Sequence, residues 1–385
     1  MIPLLPAALL AVALAPSPAP RTAPSSARVA IPQSKVPWSE ASLPAALAQA
    51  KAQSKLAMAF FYSQVSAASD RMSNDTFASD RVADALKDVL CVHVDYDKQR
   101  DIADRYAIKN PPVVVWFNSD GSARERVNGY QGADVFLSNF SRIKADIGTI
   151  NELRRKTAAG GSDLDARYEL YKKLKDVGDA HGAEDQKVAI QKLDPEGKSR
   201  GAHHFRYEQI TKEIESYWDQ TKTLDMKKVA DLQSFVEAET DPELVWDGWM
   251  RLSNTHEYLA SQAQAQQKPE EAAQHRNLRR LYLSYAWRGV PEERDVLHDW
   301  IFVYGQILWE QKDELSQADK DFFLAVTLRA VQVFDNEALA HDLRARALYV
   351  AGNKNEAIAE VVKALAIEPS NALYLDRQKE FGGGK

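Results

Sequence analysis

At Thr157-Ala-Ala-Gly-Gly-Ser162 the hydrophobic pattern of this 385-residue chain changes period. Upstream, from Trp38 to about Lys156, short apolar runs alternate with segments of helical spacing. That is the pattern of an α/β layer with at least one parallel strand pair. Downstream almost every segment has helical periodicity, broken only at Pro195-Glu-Gly197, Asp241-Pro242, Lys268-Pro269 and Gly289-Val290-Pro291. The reading is an α/β domain at 38–156, a linker at 157–162 in which Ser162 and Asp165 prepare a helix cap, an all-α domain at 163–381 and a flexible tail at 382–385.

Nine of the 16 prolines lie at or before Pro44, so the N-terminus is not part of a packed core. Met1 to Ala15 is apolar, with Leu9 to Ala15 as a candidate signal core, and Pro16 to Pro37 is rich in Pro, Ser and Ala. Residues 1–37 read as an export signal plus linker, which implies a periplasmic or secreted protein; a disordered leader is the competing reading. No other segment reaches the ~18 apolar residues of a spanning helix, so no transmembrane anchor is expected after signal cleavage.

With 45% hydrophobic and 27% charged residues, 8 Trp and 14 Tyr, the chain has the composition of a folded soluble protein. A formal net charge of −6 provides no basic footprint for nucleic acid. The single cysteine, Cys91, cannot form an intrachain disulfide, a Cys-rich zinc site or a dithiol centre. It opens an apolar strand and reads as a small buried hydrophobe rather than a reactive thiol.

The expected elements of the first half run in order. A helix at Ser39 to Gln53 precedes a strand at Leu56 to Tyr62, a helix starting at Ser66, a short helical piece at Asp80 to Lys87 and a strand at Leu90 to Asp95. A short helix at Asp101 to Tyr106, a strand at Pro112 to Phe117, a hairpin partner at Ala123 to Asn128 and a helix from Ala133 to about Ile147 follow. Arg154-Arg155-Lys156 reads as a solvated charge run ending the last helix of this domain.

These pieces, in this order, resemble the thioredoxin fold, specifically the thioredoxin-like families of exported bacterial proteins. The residues that carry the resemblance are Trp38, the Lys55 to Tyr62 strand, Arg71-Met72, Thr76-Phe77, Val94-Asp95-Tyr96-Asp97, Tyr106-Ala-Ile108, Asp120-Gly121 and Gly129-Tyr130. In redox-active relatives a Cys-x-x-Cys sequence opens the helix after the first strand. Matching Phe61-Tyr62 and Arg71-Met72 puts Ser66 and Ser69 at the two cysteine positions, with Ala67-Ala68 between them, and Val65 at the preceding Trp. A serine hydroxyl neither ionises near neutral pH nor forms an S–S bond, so dithiol–disulfide exchange at this site is excluded. The family's cis-proline loop matches Asn110-Pro111-Pro112-Val113, with Pro112 as the cis residue, and Pro111 has no N–H to offer a peptide. A groove lined by Val65, Ser66, Pro111 and Pro112 is the candidate binding surface, and a fold kept only as a scaffold is the equal alternative.

The second half contains two similar segments. Gly178, Ala183, Ile190 and Pro195 have the same spacing as Gly352, Ala357, Ala364 and Pro369. Both resemble the tetratricopeptide pattern, in which small residues sit where two antiparallel helices touch and Pro ends the second. Arg344 occupies a usually apolar position in the better copy. The helices between are rich in Trp (Trp218, Trp246, Trp249, Trp287, Trp300, Trp309), and the whole reads as a degenerate helical-repeat solenoid. Its large aromatics, Tyr282, Tyr285 and Tyr304 among them, are mainly core but could supply an apolar groove for a partner.

Adjacent His203-His204 at a helix entrance diverge and read as surface residues, and His181, His256, His275, His298 and His341 have no ligand spacing. No metal, cofactor or catalytic residue is assigned, and no serine-hydrolase elbow, Walker loop or dinucleotide fingerprint is present. The expectation is an exported, redox-inactive, protein- or peptide-binding scaffold. The alternatives are a non-catalytic, chaperone-like component of a thiol–disulfide pathway and, less favoured, a weak oxidoreductase using Cys91.

Overall fold

The computed structural model describes residues 34–158, 162–292 and 294–382. The expected signal region, residues 159–161 of the expected linker and residues 383–385 of the tail lie outside them.

The first elements are α1 (Leu43–Gln53), β1 (Ala57–Tyr62), α2 (Ala67–Arg71), α3 (Asp80–Ala85), β2 (Leu90–Asp95), α4 (Arg100–Arg105), β3 (Val113–Phe117), β4 (Ala123–Asn128) and α5 (Ala133–Lys144). A single π-helical turn, Met72–Thr76, extends α2. The sheet order is β2-β1-β3-β4, with β1 and β2 parallel and the other pairs antiparallel. A parallel pair needs a crossover, and α2 and α3 supply it.

Alternation along the strands makes two cores. Met58, Phe60, Cys91, Val114 and Trp116 face α3, α5 and the π turn, packing on Val82, Phe136 and Met72. Ala57, Ala59, Phe61, Val113, Val115 and Phe117 face α1 and α4, packing on Leu43, Ala46 and Ala103. Residues 34–37, expected as linker, are tied down: Val36 is buried, the Lys35 N–H donates to Phe77 O and Trp38 Nε1 donates to Ser34 Oγ.

The chain then departs from expectation. Left-handed backbone at Asp146 and Gly148 ends α5 and starts a separate helix, α6 (Ile150–Ala158). Arg154, Arg155 and Lys156 lie on it, exposed as expected of a solvated run, and pair with Asp179, Asp146 and Glu152. In α7 (Leu164–Asp176) the cap is Asp163, not Ser162: its carboxylate accepts from the Ala166 N–H at 2.9 Å. α8 (Ala180–Leu193) completes a hairpin with α7.

By packing, the chain forms two compact units. One compact unit ends at Phe205 and the other starts at Arg206. Within the first unit a charged joint links β4 and α7. Glu125 is 2% exposed, and Lys173 Nζ donates to both its oxygens at 2.8 Å while Arg142 Nη1 donates at 3.2 Å. Arg126 Nη1 gathers the Tyr106, Ala107 and Asp176 carbonyls. At Gly178 (φ 79°) a Cβ would lie 2.5 Å from Arg105 O, so this turn reaches α4 only as glycine.

The second unit is helical throughout its described residues. The division falls within α9 (Arg200–Thr221), and α10 (Met226–Glu237), α11 (Pro242–Ala265), α12 (Pro269–Ala286), α13 (Arg294–Glu310), α14 (Gln317–Val333), α15 (Ala338–Val350), α16 (Lys354–Ile367) and α17 (Ala372–Gly382) follow. The proline breaks stand where expected, with Pro242 and Pro269 in first turns. Tyr282, Trp249, Trp300 and Tyr304 are buried, and Tyr285, Trp287 and Trp309 pack against the same cores, so these aromatics do not supply an exposed groove. Arg344 finds a polar partner instead of an apolar one: its Nη1 donates to Leu324 O at 2.6 Å.

The α7–α8 and α15–α16 hairpins close identically. Gly178 and Gly352 both have positive φ, and the following N–H groups, of Asp179 and Asn353, donate to Leu174 O and Leu348 O at 2.8 Å each. Ala183, Ile190, Ala357 and Ala364 are buried, and Pro195 and Pro369 follow the ends of α8 and α16.

The joint predicts that Lys173→Met, which leaves Glu125 with Arg142 alone, destabilises the full chain by about 1–3 kcal/mol. Urea unfolding measures it against Lys172→Met, a solvent-side change expected to stay within about 0.5 kcal/mol.

Candidate functional site

β1 delivers its chain to the site as soon as its apolar run ends. Ser63 is buried, Gln64 and Val65 form a turn, and Ser66 takes extended backbone (φ −96°, ψ 111°) as the N-cap of α2. Ser66 Oγ accepts from the Ser69 N–H at 3.2 Å and donates to Pro111 O at 3.3 Å. Ser69, 1% exposed, accepts from the Ser63 N–H at 3.2 Å through its Oγ, and its carbonyl accepts from Ser73 Oγ at 3.0 Å. Both hydroxyls are thus engaged in holding the loop, the helix start and the proline loop together.

The Pro111–Pro112 peptide is cis, with Pro112 as the cis residue. Pro111 is half-buried and Pro112 buried, while Val65 is 91% exposed. Ser66 and Pro111 are therefore in contact and Val65 projects beside them, whereas Pro112 turns inward and does not line an open groove. The Pro111 carbonyl, the acceptor left to that edge, already receives the Ser66 hydroxyl.

Two carboxylates from the end of the parallel neighbour β2 brace the same loop. Ser63 Oγ donates to Asp97 Oδ2 at 2.8 Å and the Gln64 N–H at 3.3 Å. Gln64 Nε2 and Lys98 Nζ donate to Asp95 Oδ2 at 3.1 and 2.8 Å, and the Asp97 N–H donates to Asp95 Oδ1 at 3.0 Å. Burial alone would raise the Asp95 pKa, but the Lys98 ammonium and the Asp97 and Lys98 N–H groups outweigh it and hold the carboxyl below its ordinary value. Burial, then the Asp95 charge, pushes the Tyr62 phenol up. Sequence reading quoted Asp95 and Asp97 only as part of a resemblance. Their alignment at the strand end beside the Ser66 loop was the available signal.

Cys91 takes no part. Tyr62 pairs with Asp95 and Met58 with Cys91, so the thiol lies four residues back along the strand, roughly 13 Å from the site end. It is 1% exposed, its Sγ donates to Val89 O at 3.6 Å, and burial pushes the thiol up to about 12.

Residues 43–143 match the thioredoxin-like domain family. This part of the chain is a thioredoxin-like domain. The chain is 31% identical over 112 residues to the thiol:disulfide interchange protein DsbD of Pseudomonas fluorescens, covering 28% of this chain and 19% of that protein. It is 28% identical over 110 residues to the DsbD of a Pseudomonas species, covering 27% and 19%. The chain thus spans about a fifth of the length of these curated relatives. Among solved structures, a thioredoxin from Thermus thermophilus is 24% identical with a TM-score of 0.24, covering 26% of this chain and 82% of that one. A DsbH oxidoreductase is 17% identical with a TM-score of 0.26, covering 34% and 94%.

One histidine differs from expectation. His204 is buried beside the Tyr168 ring rather than on the surface. His298 and His341 contact Glu337 and Glu360, and His256 meets His275. No described helix of the chain is long and apolar enough to cross a membrane.

Two outcomes follow from this thioredoxin-like site. With a pKa of about 12, Cys91 is about one part in ten thousand thiolate at pH 8, so a maleimide should label it only in denaturant, as read by mass spectrometry. Ser66→Ala should cost about 1 kcal/mol in urea unfolding by removing the α2 cap.

Proposed function

We propose that this protein is an exported, redox-inactive thioredoxin-like protein that binds other polypeptides. The observation that carries the reading is the hydroxyl network. Ser66 and Ser69 occupy the two positions where relatives place a dithiol, and both are committed to internal hydrogen bonds. A site without a thiolate retains a surface, with Val65 as its exposed apolar residue. The proposed contact is an extended peptide laid against Val65, Ser66 and Pro111.

The helical region supports the same reading. We take α7–α8 and α15–α16 as two tetratricopeptide-like hairpins of a degenerate solenoid, on the strength of their shared glycine turns and buried small residues. Export to the periplasm fits the apolar leader, and the domain organisation fits a thioredoxin-like part that carries helical repeats. The second reading, a non-catalytic component of a thiol–disulfide pathway, is favoured by the similarity to DsbD. The burial and raised pKa of Cys91 argue against an oxidoreductase working through it.

Insulin reduction with dithiothreitol as the electron source separates these. The wild-type chain should match a Cys91→Ser control at the uncatalysed rate, and Ser66→Cys with Ser69→Cys should exceed both. Wild-type turnover above the control overturns the redox-inactive reading. For binding, a peptide array probed with wild type and Val65→Asp should show signal lost in the variant; equal signal removes the groove from the proposal.

A further inference from the structure

The joined helices α11 and α12 face each other through two imidazoles. His256 Nδ1 and His275 Nδ1 are 2.9 Å apart, with ring centres 5.1 Å apart and ring planes at 39°. His256 is 6% exposed and packs its ring on Tyr282, while His275 is half-buried. Elsewhere in this unit His298 and His341 meet carboxylates, but among the described residues no carboxylate forms an ion pair with His256 or His275.

The surrounding charges are already matched. On α11, Glu257 is held by Arg279 of α12, and Asp247 by Arg251, which also binds Glu215 of α9. On α12, Arg276 binds Glu314, Arg280 approaches Glu314 and Asp319 of α14, and Glu271 pairs with Lys268. From α10 the charge of Glu237 reaches Tyr282, from α13 that of Glu310 reaches Arg279, and in the turn after α12 Arg288 lies over Tyr285. Three arginines thus share α12 with His275, and each of them faces a carboxylate.

Two neutral imidazoles joined nitrogen to nitrogen share one proton: one Nδ1 carries it and the other accepts. The donor ring can take a second proton on its Nε2 with the bond intact. The acceptor ring carries its own proton on Nε2, so its next proton must go to Nδ1, the nitrogen that accepts. We infer that His256 and His275 form a proton-counting latch between α11 and α12, with His275 as donor and His256 as acceptor, closed with one added proton and opened by the second. Burial first, then the neighbouring His275, pushes His256 down to about 4, in agreement with its role as acceptor. Because that value lies below the ordinary imidazole value of about 6.5, the contribution to stability is complete above about 6.5 and is lost as pH falls towards 4.

The test is nitrogen-15 NMR of the histidines in the full chain from pH 7.5 to 4. The expected result is His256 with its proton on Nε2 and His275 with its proton on Nδ1 at neutral pH, and protonation of His256 only well below 6.5. Protonation of His256 near 6.5, or both rings protonated on Nε2 at neutral pH, overturns the latch. In parallel, the fall of the urea midpoint between pH 6.5 and 4 should be smaller in His275→Gln than in wild type. An equal fall also overturns it, and if His275→Gln does not fold, the wild-type titration decides alone.

Discussion

β1 has both faces buried and both edges paired, and that constraint orders the thioredoxin-like domain. A strand in that position can carry only apolar side chains, and Ala57 to Phe61 are all buried. The first polar residue, Ser63, therefore marks the end of the sheet. Parallel pairing with β2 brings Asp95 and Asp97 to that same end, and antiparallel pairing with β3 brings the Pro111–Pro112 loop there too. The site is assembled from three consecutive strand termini, so its geometry follows from the register of the core.

Within that frame the hydroxyls of Ser66 and Ser69 hold the loop together. A thiol is a weak donor and acceptor, whereas a serine hydroxyl forms full-strength bonds in both directions. Ser66 uses both: one bond caps α2 and the other closes on Pro111 O. Ser69 and Ser63 link the helix to the strand end, and Asp97 holds Ser63. Both residues therefore support the architecture of the strand end.

How much of this was legible follows from range. The strands are readable because their apolar runs are local, and Ser66 because a serine ahead of a helical segment reads as its cap. Pairings distant in sequence are not. Glu125 sits in an edge strand whose alternation reads as half-solvated, and its partner Lys173 is 48 residues away. The joint between β4 and α7 therefore leaves no local mark in the sequence. His256 and His275 are 19 residues apart on different helices, so no spacing rule along one helix reveals them. The aromatics were legible for the opposite reason: Tyr304 and Trp300 recur at helical spacing, and both are buried as core residues.

The two glycine hairpins show why similarity at a distance does not define equivalent packing. Gly352 has φ 90° and open space around it, so the left-handed backbone alone calls for glycine there. Gly178 has φ 79° and also lies where a Cβ would meet Arg105 O at 2.5 Å, so two independent demands fall on one residue. The first hairpin is fitted to the edge of the thioredoxin-like sheet through that contact, the Lys173–Glu125 pair and the Arg126 bonds, whereas the second packs only among helices. A shared turn chemistry therefore marks a common local solution to ending a helix, and the contacts made by its flanking residues decide to which unit each hairpin belongs.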